Sequence, residues 1–123
     1  MEFVRLVFLR KSYSYKESSS IEMCNLGIFL ANDVGDSPSS FKKWLFHEPS
    51  TSASNNATIV EKEDGLILIR DMYSEEEEPT QLKLTYAQFF QILNDWEEKV
   101  VKLWPKEVII KHENDQFVFE TKN

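Results

Sequence analysis

The sequence predicts an α+β fold: a mostly antiparallel β-sheet with two helices packed on one face. Three stretches carry that prediction. "TIVEKEDGLILIRDMY" (Thr58 to Tyr73) sets two β-rich runs around Asp64-Gly65, a tight-turn pair. Thr85 to Leu103 repeats apolar residues at three- and four-residue steps, the period of a helix with one buried face. "KEVIIKHENDQFVFETKN" closes the chain as a second hairpin, with Glu113 to Gln116 as its turn. A length of 123 residues suits one domain with a single core, and no internal repeat divides it. Flexible polar loops are expected near 11–20, 47–57 and 74–80.

Taken in order, Glu2 to Arg10 has apolar residues on both parities. It reads as a strand with two covered faces or as a central strand. The Ser-rich run Lys11 to Ser20 reads as a long hairpin loop or an irregular connection. Met23 to Ala31 reads as a second strand, in which Gly27 marks a bulge or a close backbone approach. Ser37 followed by Pro38 signals a helix start, with Phe41, Trp44 and Leu45 at helical spacing and Pro49 as the stop. "HEPSTSASNNA" is a polar loop. After the Asp64-Gly65 hairpin, "TQLKLT" is a short extended piece. Thr85 with Gln88 three residues on forms a capping box. The apolar residues from Tyr86 to Leu103, with Trp96 near the middle, cover a stripe of roughly 120°. Trp104-Pro105 stops the helix.

Composition excludes several functions. Net charge is −7, so direct binding of nucleic acid is disfavoured, since affinity for phosphates rests on clustered Lys and Arg. An acidic chain suits a basic protein partner instead. The one cysteine, Cys24, allows no internal disulfide and fits a cytoplasmic, reducing compartment. The N-terminal "MEFVRLVFLRK" does not read as a signal peptide, and no apolar run approaches the ~18 residues of a membrane span, so no membrane role is expected.

Motifs for catalysis are not found. His47 and His112 have no cysteine or carboxylate at metal-ligand spacing, so no metal is assigned. Three glycines cannot build a phosphate-cradling loop, and GxGxxG, GxxxxGK[ST] and GxSxG are missing. No cofactor is implied, and the chain reads as a non-enzyme.

The compositional outlier is acidic. Between Glu61 and Thr80 eight acids (Glu61, Glu63, Asp64, Asp71, Glu75, Glu76, Glu77, Glu78) stand against two bases, Lys62 and Arg70. The bland reading is a solvated loop whose charge discourages strand-to-strand aggregation. The functional reading is a patch that meets a basic protein surface. Tyr73 beside the block favours the second, because aromatics next to charges recur at interfaces. The expected contact residues are Asp64, Asp71, Tyr73, Glu75, Glu76, Glu77 and Glu78.

The C-terminal third has the form L-T-x-x-Q-F-x-x-x-L-x-x-W-E followed by Pro-Lys-Glu and a hairpin. Leu82, Thr85, Gln88, Phe89, Leu93, Trp96, Glu97, Pro105, Lys106 and Glu107 carry the pattern. It resembles the ending of small bacterial immunity proteins encoded beside secreted or contact-delivered toxins. The resemblance covers about 40 residues of cap, core stripe and helix stop, and transfers no site residue. It implies a cytoplasmic inhibitor that binds a cognate toxin domain, a nuclease among the candidates, and blocks its active site. The alternative is an acidic protein-protein interaction or adaptor module without a toxin partner.

Overall fold

The computed structural model describes residues 1–53 and 56–123. Among them the chain forms seven strands and three α-helices: β1 (Glu2–Leu9), β2 (Ser12–Ser18), α1 (Ile21–Ile28), α2 (Pro38–His47), β3 (Thr58–Glu63), β4 (Leu66–Asp71), β5 (Leu82–Thr85), α3 (Tyr86–Trp96), β6 (Glu107–Glu113) and β7 (Gln116–Lys122). The fold is α+β and every strand pair is antiparallel. The strands divide over two sheets rather than one, in the orders β2-β1-β6-β7 and β3-β4-β5. α1 and α3 lie between them, and α2 packs on α3. α1 packs against β1 and β2 on one side and against β4 and β5 on the other; α3 meets β4 and β5, and β7.

Each sheet therefore buries one face. Val4, Leu6, Val108, Ile110, Phe117 and Phe119 point inward from the larger sheet, and Val60, Ile67, Ile69, Leu82 and Leu84 from the smaller. Phe29, Phe89, Leu93 and Trp96 fill the layer between. β1 is the inner strand that its sequence suggests, paired with β2 on one edge and β6 on the other.

Two expectations at the N-terminal end are corrected. Ser12–Ser18 is a strand, with a register shift opposite Arg5 and Leu6, and not a loop. Polar side chains pattern it as an edge strand with one wet face, which composition alone reads as a connection. Met23 to Ala31 is helical. Ser20 caps α1, its hydroxyl accepting the Met23 N–H at 3.2 Å, and a wide π-type turn continues the helix over Phe29–Val34. Packed between two sheets, this helix is apolar nearly all round, and such a short apolar run has no telling period. Gly27 nevertheless marks a close backbone approach: a Cβ there would stand 2.5 Å from Cγ2 of Val4.

α2 starts at Pro38 as expected, but the Ser37 side chain does not cap it; that hydroxyl bonds Asp36 Oδ1 at 3.1 Å. The polar stretch after α2 is partly structured. Thr51 and Ala53 exchange backbone bonds with Lys62 and Val60 and so cover the outer edge of β3. Ser54 and Asn55, within the loop expected over 47–57, lie outside the described residues. Asp33 ties the end of the α1 segment to the start of β3. Its carboxylate accepts the backbone N–H of Asn56, Ala57 and Thr58 at 2.8, 2.9 and 2.9 Å, and also the Thr58 hydroxyl.

The turns follow their residues. Asp64 and Gly65 both adopt positive φ, 53° and 79°, as do Asn114 and Asp115, at 51° and 61°, which is the geometry of two-residue hairpin turns. The capping box of α3 forms in both directions. Gln88 N–H donates to Thr85 Oγ1 at 3.0 Å, and Thr85 N–H donates to Gln88 Oε1 at 2.9 Å. The helix then widens into a π-type turn over Glu97–Val101 and closes with Trp104 in a left-handed conformation, φ 47°.

Candidate partner-binding site

The acidic loop joins β4 to β5. Its start is fixed by Asp71, whose carboxylate accepts the Tyr73 N–H at 2.9 Å, an Asx turn that bends the chain out of the sheet. Ser74 repeats the device one step on, its hydroxyl accepting the Glu76 N–H at 3.3 Å. The Tyr73 hydroxyl donates to the Asn56 carbonyl at 3.1 Å, yet the residue remains 72% exposed. Glu75, Glu76, Glu77 and Glu78 are all exposed. The chain turns back at Pro79. There Asn25, buried at 2% exposure on α1, donates its amide to the Thr80 carbonyl at 2.9 Å and to the Ile69 carbonyl at 3.4 Å. The loop is thus tied at both ends and carries its charge between the ties.

Six of the seven expected contact residues share this loop: Asp71, Tyr73, Glu75, Glu76, Glu77 and Glu78. Asp64 does not join them. It forms the β3–β4 turn, and the five residue steps of β4 from Leu66 to Asp71 set it roughly 17 Å away. Nearness in sequence misleads here, because a strand runs between turn and loop.

Glu61 takes the place of Asp64. It lies on the outer face of the smaller sheet, 3.5 Å from the Arg70 guanidinium. Glu61, Arg70, Glu77, Glu78, Gln81 and Lys83 line an open polar groove of about 570 Å³ between the loop and that face. The groove is mixed in sign at its floor and acidic at its lip. The hairpin register contains the signal for it: the two-residue turn sets Glu61 opposite Leu68, which places Glu61 and Arg70 on one face as a diagonal pair. Asn25 had no comparable signal, because its stretch reads as a strand.

The histidines do not build a second site. His47 is exposed at the end of α2. His112 lies on β6, its ring stacked on Phe117 at 4.2 Å and its Nδ1 3.7 Å from Glu2. No group of three or more His, Cys, Asp or Glu among the described residues could hold a metal ion. No helix among them is long and apolar enough to cross a membrane. Compared with protein-family models, with curated protein sequences and with solved structures, the chain matches none.

Proposed function

We propose that this protein acts by binding: it is an immunity-type protein of the bacterial cytoplasm that neutralises a cognate, basic toxin domain by covering its active site. The observation that carries the reading is the row of four exposed glutamates on a loop tied at both ends, by Asp71 to Tyr73 and by Asn25 to Thr80. A nuclease cleft is built from cations that hold phosphates. A row of carboxylates competes for the same cations, and complementary charge accelerates the encounter. A loop already ordered loses less conformational entropy on docking than a free tail. Neither a cofactor nor a metal enters this mechanism, and the protein is no enzyme in it.

The test is association of the purified chain with the toxin domain encoded by the adjacent gene, followed by stopped-flow at several salt concentrations. Replacing Glu75, Glu76, Glu77 and Glu78 with lysine is expected to slow association and weaken binding. A second reading, an acidic interaction or adaptor module without a toxin partner, is favoured by Arg70 and Lys83 in the groove, which suit a partner of mixed charge. A toxin-domain gene directly upstream speaks for the first reading and its absence for the second.

A further inference from the structure

At the other end of α1 the surface has the opposite character. A cleft of about 240 Å³ opens there, lined by Lys11, Tyr13, Gly35, Asp36, Trp96 and Trp104 among others. It is smaller than a drug-sized ligand site and suits a single large side chain. Trp104 supplies its exposed aromatic surface, and Tyr13 and Trp96, 4% and 1% exposed, form the buried floor beneath. Trp104 stacks on Tyr13 at 6.2 Å and 11°, and Tyr13 meets Trp96 edge-on at 5.5 Å. Trp104 is 43% exposed, and Leu9 and Leu103, close to the lining residues in sequence, are 48% and 67% exposed. Lys11 lines the cleft; Arg10 precedes it in the β1–β2 turn, and Lys106, whose carbonyl accepts the Phe8 N–H at 2.8 Å, follows Trp104 by two residues. None of these three bases has an ion-pair partner among the described residues. Three bases near one cleft, against Asp36 as its one acidic lining residue, stand out in a chain with net charge −7. Buried Trp and Tyr pockets with flanking cations are where interfaces concentrate their binding energy.

The chain carries a matching ligand. Tyr73 is exposed and followed, one residue on, by Glu75 to Glu78. The acidic loop adjoins the start of α1, where Ile21 and Cys24 form a recess with Asp71 and Glu76, while the cleft adjoins the end of the α1 segment at Ala31 and Gly35. The two lie roughly 20 Å apart along the helix, so one molecule cannot join its own loop to its own cleft.

We infer that the protein self-associates head to tail, the loop of one copy docking in the aromatic cleft of the next. Tyr73 seats against the exposed ring of Trp104 at the mouth of the cleft, and its phenol, released from the Asn56 carbonyl, donates to the Asp36 carboxylate. The glutamates face Arg10, Lys11 and Lys106. Different patches meet across the contact, so it is heterologous and closes only into a ring. Through the shared loop, self-association competes with capture of a basic partner.

Sedimentation equilibrium of the full chain tests this at ionic strengths of about 10 mM and about 1 M, where the screening lengths are about 30 Å and about 3 Å. Mass is expected to rise with concentration above 14.5 kDa at low salt and to return to it at high salt. Lys11→Glu with Lys106→Glu is expected to weaken the association at least ~10-fold, as is Glu76→Lys with Glu77→Lys. Mixing those two variants is expected to restore it, because the intact loop of one meets the intact cleft of the other and the two reversed patches match. Circular dichroism checks that each variant folds. A chain that stays monomeric at low salt, or an association untouched by both charge reversals, overturns the inference. The Lys11/Lys106 variant keeps its loop, so it still binds a basic partner, which separates failure of this inference from failure of the binding function.

Discussion

The amide of Asn25 reaches from the buried face of α1 to the Thr80 carbonyl at 2.9 Å, and this one bond holds the downstream end of the acidic loop. The same side chain spans to Ile69 on β4, so helix, strand and loop meet at a single buried polar group. Substituting Asn25 with alanine leaves two carbonyls short of a donor and opens space beside Leu26. The expected cost is about 2 kcal/mol of stability. Amide exchange across residues 72–80 should accelerate by more than that of β4 itself. Uniform acceleration of both would make Asn25 an ordinary core residue.

Gly27 bears on the contact between α1 and the larger sheet. Alanine there would put a methyl 2.5 Å from Val4 Cγ2 and 3.3 Å from Leu6 Cδ2, on strand β1 at the centre of its sheet. The helix cannot retreat, because β4 and β5 back it on the other side. Gly27→Ala is expected to cost ~1–3 kcal/mol despite the better helix propensity of alanine. Urea denaturation reads this directly, and a stabilised variant would mean that the two layers are free to part.

How much of this was legible in the sequence depends on what each element touches. α3 is readable because its capping box and its stripe are local, and they produce the helix wherever it docks. The hairpins are readable because Asp64-Gly65 and Asn114-Asp115 supply the positive φ that two-residue turns require. α1 is not, because a helix buried between two sheets loses the polar face that gives a helix its period. β2 is not, because its edge position leaves it mostly polar. The loop glutamates were legible as charge, but their separation from Asp64 and their company with Glu61 depend on strand register. The cleft beside Trp104 joins residues 11–13, 31, 35–36, 96 and 104, a set that only the tertiary structure assembles.

Asp33 concentrates four hydrogen bonds on one buried carboxylate and so fixes where β3 begins. Asp33→Ala orphans three backbone donors at the strand's first residues. The expected loss is roughly 3 kcal/mol in chemical denaturation, with Asp33→Asn recovering part of it. A loss no larger than that of an exposed substitution would show that water replaces the carboxylate without cost.

Tyr13 gives the fold an alkaline limit. Burial raises its phenol from 10.0 to about 12, and its hydroxyl donates to the Pro105 carbonyl at 2.5 Å. The folded state therefore holds this proton more tightly than the unfolded chain does. The corresponding stability is fully present below pH 10 and is lost progressively as pH rises toward 12. Tyr13→Phe is expected to be less stable than wild type at neutral pH by about 1 kcal/mol, the worth of the bond. Its stability should decline less between pH 10 and 12. Parallel decline in both proteins would assign the alkaline loss to other groups.

The central claim is that the exposed glutamates between Asp71 and Pro79 form the surface that meets a basic partner. The most direct measurement is the association rate with the proposed cognate toxin domain, taken against ionic strength, for the wild-type chain and for the variant with Glu75, Glu76, Glu77 and Glu78 changed to lysine. The wild-type rate is expected to fall steeply with salt, and the variant to be at least ~10-fold slower at low salt with a rate that no longer falls as salt is added. Equal rates with equal salt dependence would contradict it, and would leave the loop as a solvated turn between two strands.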